Sequence, residues 1–200
     1  MAFPSSSSRG FTLIEMLVVI AVLGTAGIAI SGLIQSFYKN NAFLLEQTAA
    51  LDSSRRGVRD AVGSLREASY GDDGSYPIEN AATSSLTFYS DFDQDNSVER
   101  EKYLLINTVF YRVVTNAGGS PPGYAGQAQS TTTIATEVRN TAANPVFTYY
   151  DDTGTLLTGT NIDESRIASV GITLLVNPNR APNVFTLRQT ATLRNLRTVD

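Results

Sequence analysis

The 200 residues include no cysteine and no histidine. Without cysteine there is no disulfide framework, and cysteine usage leaves the redox compartment undecided. Without histidine, the Ser-His-Asp and Cys-His arrangements and most zinc sites are excluded together. G-x-S-x-G elbows, Walker loops and G-x-G-x-x-G turns are absent too. Any enzyme here would have to work with Asp, Glu, Ser and Arg alone, so the expectation is a protein that is not an enzyme. Lysine is nearly missing, present only as Lys39 and Lys102, and the formal net charge is −4. Phosphate binding needs a clustered basic surface, so no nucleic-acid partner is expected. Arg55, Arg56, Arg59 and Arg66 alternate with Asp52, Asp60 and Glu67, the pattern of a solvated helix face with i,i+4 pairs such as Arg56 and Asp60.

Apolar character is plentiful, and it is concentrated. From Phe11 to Phe37 the chain is apolar or small except for Glu15 and Gln35. As a helix this run of about 27 residues is roughly 40 Å long, enough to cross a hydrocarbon core of about 30 Å. A secretory signal peptide, with Arg9 as its charged region and "GTAGIAIS" as its cleavage zone, has this outline. So does a plain signal anchor. Neither accounts for Glu15, since an acidic group near a bilayer centre costs about 2.5–3.5 kcal/mol. No cation follows it until Lys39. Its position four residues into the run also allows a side chain that snorkels to the interface.

The stretch "RGFTLIEMLVVIAVLG", Arg9 to Gly24, resembles the start of type IV prepilins and pseudopilins. "GFTLIE", Gly10 to Glu15, matches that family's pattern completely: Gly before the cut, Phe after it, and Glu inside an apolar run. The resemblance implies a leader of residues 1–10, cleavage by prepilin peptidase between Gly10 and Phe11, and N-methylation of Phe11. It also implies an assembly role for Glu15, pairing with the N-terminal amine of a neighbouring subunit. A buried carboxylate is costly without a charge partner, and such an amine supplies one.

The helical period continues past the membrane-length run. Leu44, Thr48, Leu51, Arg55, Val58, Val62, Leu65 and Ser69 follow a 3,4 spacing, with Ala61 and Ala68 beside them. Gly57 and Gly63 each weaken a helix by about 1 kcal/mol relative to Ala, which makes them candidate bends. "YGDDGSYP", Tyr70 to Pro77, reads as the stop. Strands are expected at Ser85 to Phe92, Lys102 to Val114, "TTTIATEV", Ile167 to Val176 and Val184 to Leu193. A hairpin with its tip at Asp151 to Gly154 is expected as well. Asn116 to Thr133 reads as a surface loop. "LREASYG", "LTFYSDFDQD", "FTYYDDTG" and "TATLRN" resemble large minor pilins and J-type minor pseudopilins. Glu15 disfavours the K-type, which lacks that glutamate.

"DFDQDNSVEREK" places Asp91, Asp93 and Asp95 at alternate positions, with Glu99 and Glu101 behind. Carboxylates on a tight turn can converge on Ca²⁺. The EF-hand pattern is broken, because Asn96 takes its glycine position and Lys102 its final acidic one. Asp and Asn are ordinary turn residues, so a solvated hairpin turn is the simpler reading of the loop.

The expected fold is α+β, a long N-terminal helix packed on an antiparallel β-sheet domain as in pilins. Residues 1–10 form the leader, 11–38 the transmembrane and filament-core helix, 39–70 its amphipathic continuation, and 71–200 the β-rich globular part. The expected function is that of a structural subunit, of minor type, in a type IV pilus or a related secretion or competence pseudopilus. Its partners would be other pilin or pseudopilin subunits, the peptidase and the cytoplasmic membrane. It would cross the inner membrane once before joining a filament outside the cytoplasm. The alternative is a surface binding or adhesion module displayed on a pilin-like anchor.

Overall fold

The computed structural model describes residues 10–159, 162–178 and 183–194. The expected leader therefore lies outside the described residues except for Gly10. Among the described residues one α-helix, α1 (Leu13–Arg66), precedes nine strands, with a short 3-10 turn at Glu164–Arg166. The chain divides into two compact units, Met1–Leu45 and Glu46–Asp200.

In the first unit, Thr12 stands immediately before the helix, and its hydroxyl accepts the Glu15 amide at 3.3 Å. This satisfies one of the donors that a helix start leaves open, and Thr12 with Glu15 three residues on is the T-x-x-E spacing of a capping box. An acidic residue in the first turn also complements the helix dipole. Large apolar side chains are exposed all around the helix beyond this point, including Leu13, Ile14, Leu17, Ile20 and Leu23. The mean hydropathy of its most apolar stretch is 2.5. The hydroxyls of Thr25 and Ser31 turn back onto the carbonyls of Val22 and Gly27 at 3.0 and 2.9 Å. Both hydroxyls thus find acceptors on their own helix, as an apolar solvent would require.

In the second unit, α1 buries Leu51, Ser54, Gly57, Val58, Ala61, Val62, Ser64 and Leu65. This stripe packs on antiparallel β-sheets, an α+β arrangement. Two expectations for the helix need adjustment. Arg55 lies outside the buried stripe, beside Asp52 at 3.4 Å, and Ser54 takes the inward place with its hydroxyl bonded to the Ala50 carbonyl at 2.8 Å. Gly57 does not interrupt the helix, which runs on through it to Arg66. A Cβ there would meet Ile134 Cγ2 at 2.1 Å, so glycine is what lets strand and helix approach.

The first sheet is a meander in the order β1-β2-β3-β4-β5. Its strands are β1 (Ile78–Ala81), β2 (Ser85–Ser90), β3 (Glu99–Ile106), β4 (Val109–Thr115) and β5 (Gln129–Ala135). The second sheet has the order β7-β6-β8-β9. It contains β6 (Phe147–Tyr150), β7 (Leu156–Leu157), β8 (Ser169–Val176) and β9 (Phe185–Thr192). One apolar cluster joins the helix stripe to both sheets, with Phe88, Tyr103, Phe110, Phe147 and Leu174 among its members. Phe88 and Tyr103 stack with centroids 5.9 Å apart. The Tyr149 hydroxyl donates to the Ala82 carbonyl at 2.7 Å and ties β6 to the β1–β2 turn.

The expected single strand from Lys102 to Val114 is instead a hairpin. Ile106 pairs with Val109, and Asn107 turns the chain with φ 55°. The expected loop from Asn116 to Thr133 ends early in β5 and is anchored partway by Tyr124. That side chain is buried against Tyr89, with ring centroids 5.0 Å apart.

Candidate functional site

Two regions carry the residues singled out by sequence. Gly10, Phe11 and Glu15 are all exposed at the start of the apolar helix. Phe11 has 76% of its surface accessible. The scissile segment expected between Gly10 and Phe11 thus lies before the first helical turn, where backbone is open.

The second region is the loop joining β2 to β3. Asp91 opens it and folds it, because its two carboxylate oxygens accept the amides of Asp95 and Asn96 at 3.1 and 3.2 Å. Asp95 in turn accepts the Ser97 amide at 2.8 Å. Gln94 and Asn96 both adopt positive φ, 60° and 71°. Asn tolerates this region well, so Asn96 does the conformational work of an EF-hand glycine. The turn before β1 braces the loop from outside. Asp72 accepts the Ser97 hydroxyl at 3.3 Å and the Val98 amide at 3.2 Å. The Tyr124 hydroxyl donates to the Val98 carbonyl at 2.6 Å and accepts the Asp72 amide at 3.0 Å.

Of the five acidic residues, Asp91, Asp93 and Glu99 come together. One carboxylate oxygen from each lies within 4.8 Å of the others. Glu99 stands at the first position of β3 with none of its surface accessible. Its Oε2 accepts the Phe92 amide at 3.4 Å, while Oε1 has no partner among the described residues. Burial, with Asp93 close by, pushes its carboxyl up to about 7. Asp95 is not part of this group and is occupied in closing the turn.

Glu101 also lies elsewhere. It is fully buried and binds the Ser90 hydroxyl at 2.6 Å, the Tyr103 hydroxyl at 3.1 Å and Arg112 Nε at 2.7 Å. Side chains alternate across a strand, so Glu99 and Glu101 share a face of β3 but sit two residues apart along it. Arg112 on β4 reaches Glu101 and lays its guanidinium over the Phe92 ring, 4.1 Å from the centroid. Sequence reading missed this pair of a buried carboxylate and a half-buried guanidinium. Its signal was a charged residue recurring on one face of two adjacent strands.

Residues 5–31 match the prokaryotic N-terminal methylation motif. That motif is the signature of type IV prepilin-like proteins, and the chain carries it at the head of a long apolar helix. The motif and the apolar helix that carries it support a processed, membrane-anchored, pilin-like character for this N-terminal segment. No curated protein matches the chain.

Proposed function

We propose that the chain is a minor structural subunit of a type IV pilus, or of a related secretion or competence pseudopilus. Prepilin peptidase cuts it between Gly10 and Phe11 and methylates the new terminus. The subunit then leaves the inner membrane through its N-terminal helix, which packs beside equivalent helices in a filament. The observation that carries this reading is the methylation motif at residues 5–31 running directly into a helix with apolar side chains exposed on every side. A helix apolar all round needs an apolar environment, first lipid and then other helices.

Glu15 is the group that guides docking in this proposal. Cleavage gives Phe11 a free amine, a cation at the level of the membrane. Glu15 of an entering subunit meets the amine of a neighbour, and each offsets the desolvation of the other. Its own amide is satisfied by Thr12. The test is competition between tagged Glu15→Ala and untagged wild-type subunits. The variant is expected to be cleaved normally but to enter filaments about tenfold less often, equivalent to about 1.4 kcal/mol of docking free energy. Equal incorporation would remove the role assigned to Glu15.

A second reading, a binding module displayed by the same anchor, is favoured by one feature. An open groove lies between the loop around Pro121 to Gly126 and the Glu79–Arg100 pair. Deletion that leaves filaments intact while abolishing adhesion or uptake would select it.

A further inference from the structure

We propose that Asp91, Asp93 and Glu99 form a Ca²⁺ site at the β2–β3 turn. Three observations converge on it. The three carboxylates approach within 4.8 Å of one another, which suits oxygens bound to one ion at 2.3–2.6 Å. Glu99 is wholly buried, and its Oε1 has no hydrogen-bond donor among the described residues. A buried carboxylate oxygen left unpaired is expensive, and a cation is the partner that repays the cost. The loop is also held in shape from outside by Asp72 and Tyr124. Such support fixes ligand positions before the ion arrives.

The ligand chemistry selects the metal. All donors are carboxylate oxygens in a chain without cysteine or histidine, which disfavours zinc and the softer metals. Ca²⁺ takes six to eight oxygens in irregular geometry, whereas Mg²⁺ demands a tight octahedron and keeps most of its water. Three side chains of unequal exposure on an irregular turn suit the larger ion, with water completing its shell. Asp91 ligates while still accepting the Asp95 and Asn96 amides, since each carboxylate oxygen has a second lone pair.

The competing account is that a proton, not a metal, neutralises Glu99. The full chain in detergent micelles, stripped with EDTA and held at pH 8, separates the two. At pH 8, well above the ordinary carboxylate range, protons compete little for the site. Ca²⁺ is expected to bind with measurable heat in calorimetry and to raise the melting temperature by several degrees, and Mg²⁺ by less than half as much. Asp93→Asn, at an exposed position, should weaken Ca²⁺ binding at least tenfold while leaving the EDTA melt near wild type. Glu99→Gln should abolish Ca²⁺ binding and melt in EDTA at or above wild type, because it removes an uncompensated charge. Absence of Ca²⁺ binding, equal shifts with Ca²⁺ and Mg²⁺, or wild-type affinity in Asp93→Asn would each overturn the site. If Glu99→Gln does not fold, Asp93→Asn decides the question alone.

Discussion

Two glycines of the same helix have opposite meanings. At Gly57 a methyl group would come within 2.1 Å of Ile134 Cγ2, whereas at Gly63 it would meet nothing within 4 Å among the described residues. Gly63→Ala is therefore expected to stabilise the second unit by up to about 1 kcal/mol through helix propensity alone. Gly57→Ala gains the same propensity but overpacks the core, at a cost of about 1–3 kcal/mol, so it should be neutral to destabilising. Ile134→Ala removes the offending methyl, and the double variant should be more stable than the sum of the two single changes. Denaturant melts of the four proteins as a double-mutant cycle check this; strict additivity would refute the contact. The Glu101–Arg112 pair makes a second residue-scale case. Glu101 has no accessible surface, and Arg112 Nε is its charged partner at 2.7 Å. Arg112→Met leaves that carboxylate buried without a counter-charge and should cost about 3–5 kcal/mol. Adding Glu101→Gln should recover part of the loss, and a double variant no better than Arg112→Met would show that charge is not the cause.

The elements were legible where period and punctuation agreed. Leu51, Val58, Val62 and Leu65 follow the helical spacing and are buried. The Asp-Thr-Gly tip places Tyr149 and Tyr150 opposite Leu157 and Leu156. In β9, Ala191 faces the core while Thr190 and Thr192 do not. The misreadings share a cause, which is punctuation hidden inside an apolar run or structure set by distant contacts. The run from Lys102 to Val114 is apolar enough to pass for one strand, and only Asn107 marks its reversal. Asn107 takes φ 55° at the first central residue of this two-residue loop, a region that glycine enters at no steric cost. Asn107→Gly should accordingly keep or slightly raise the melting temperature, while Asn107→Val should cost about 1–2 kcal/mol of stability and lower it. Strand β1 escaped notice because it is four residues long and held by its neighbours. Glu79 on β1 takes two bonds from Arg100 on β3, at 2.5 and 2.7 Å, and one from the Tyr89 hydroxyl on β2 at 2.9 Å. The Arg100 bonds hold the Glu79 carboxyl below its ordinary range. A depressed carboxyl contributes stability that is present above its unfolded value and lost as pH falls through the folded one. Arg100→Gln should therefore flatten the fall in stability on acidification below about pH 4.5; an unchanged acid limb would deny the pair this role. The acidic loop was half legible. Alternation of Asp91 and Asp93 was visible, but the separation of Glu99 from Glu101 depends on Arg112, which comes from another strand.

At the scale of the whole molecule, the two units do different work in the proposed subunit. Residues 13–45 of α1 expose apolar surface that needs lipid or neighbouring helices, and residues 46–66 bury one face beneath the sheets. One helix thereby serves as anchor and as core, with no sequence break between the two roles. The proposed cation site lies in the β unit, so loss of Ca²⁺ should lower the melting temperature of that unit without preventing processing of the N-terminus. The central claim is that the chain is a processed pilin-like subunit. The most direct measurement is the intact mass and N-terminal sequence of the protein extracted from membranes of cells that contain prepilin peptidase. The account predicts a chain beginning at Phe11 and heavier by one methyl group on its amine. A chain that keeps residues 1–10, or one that begins near Ala29 or Ser31 as a secretory cleavage would leave it, contradicts it.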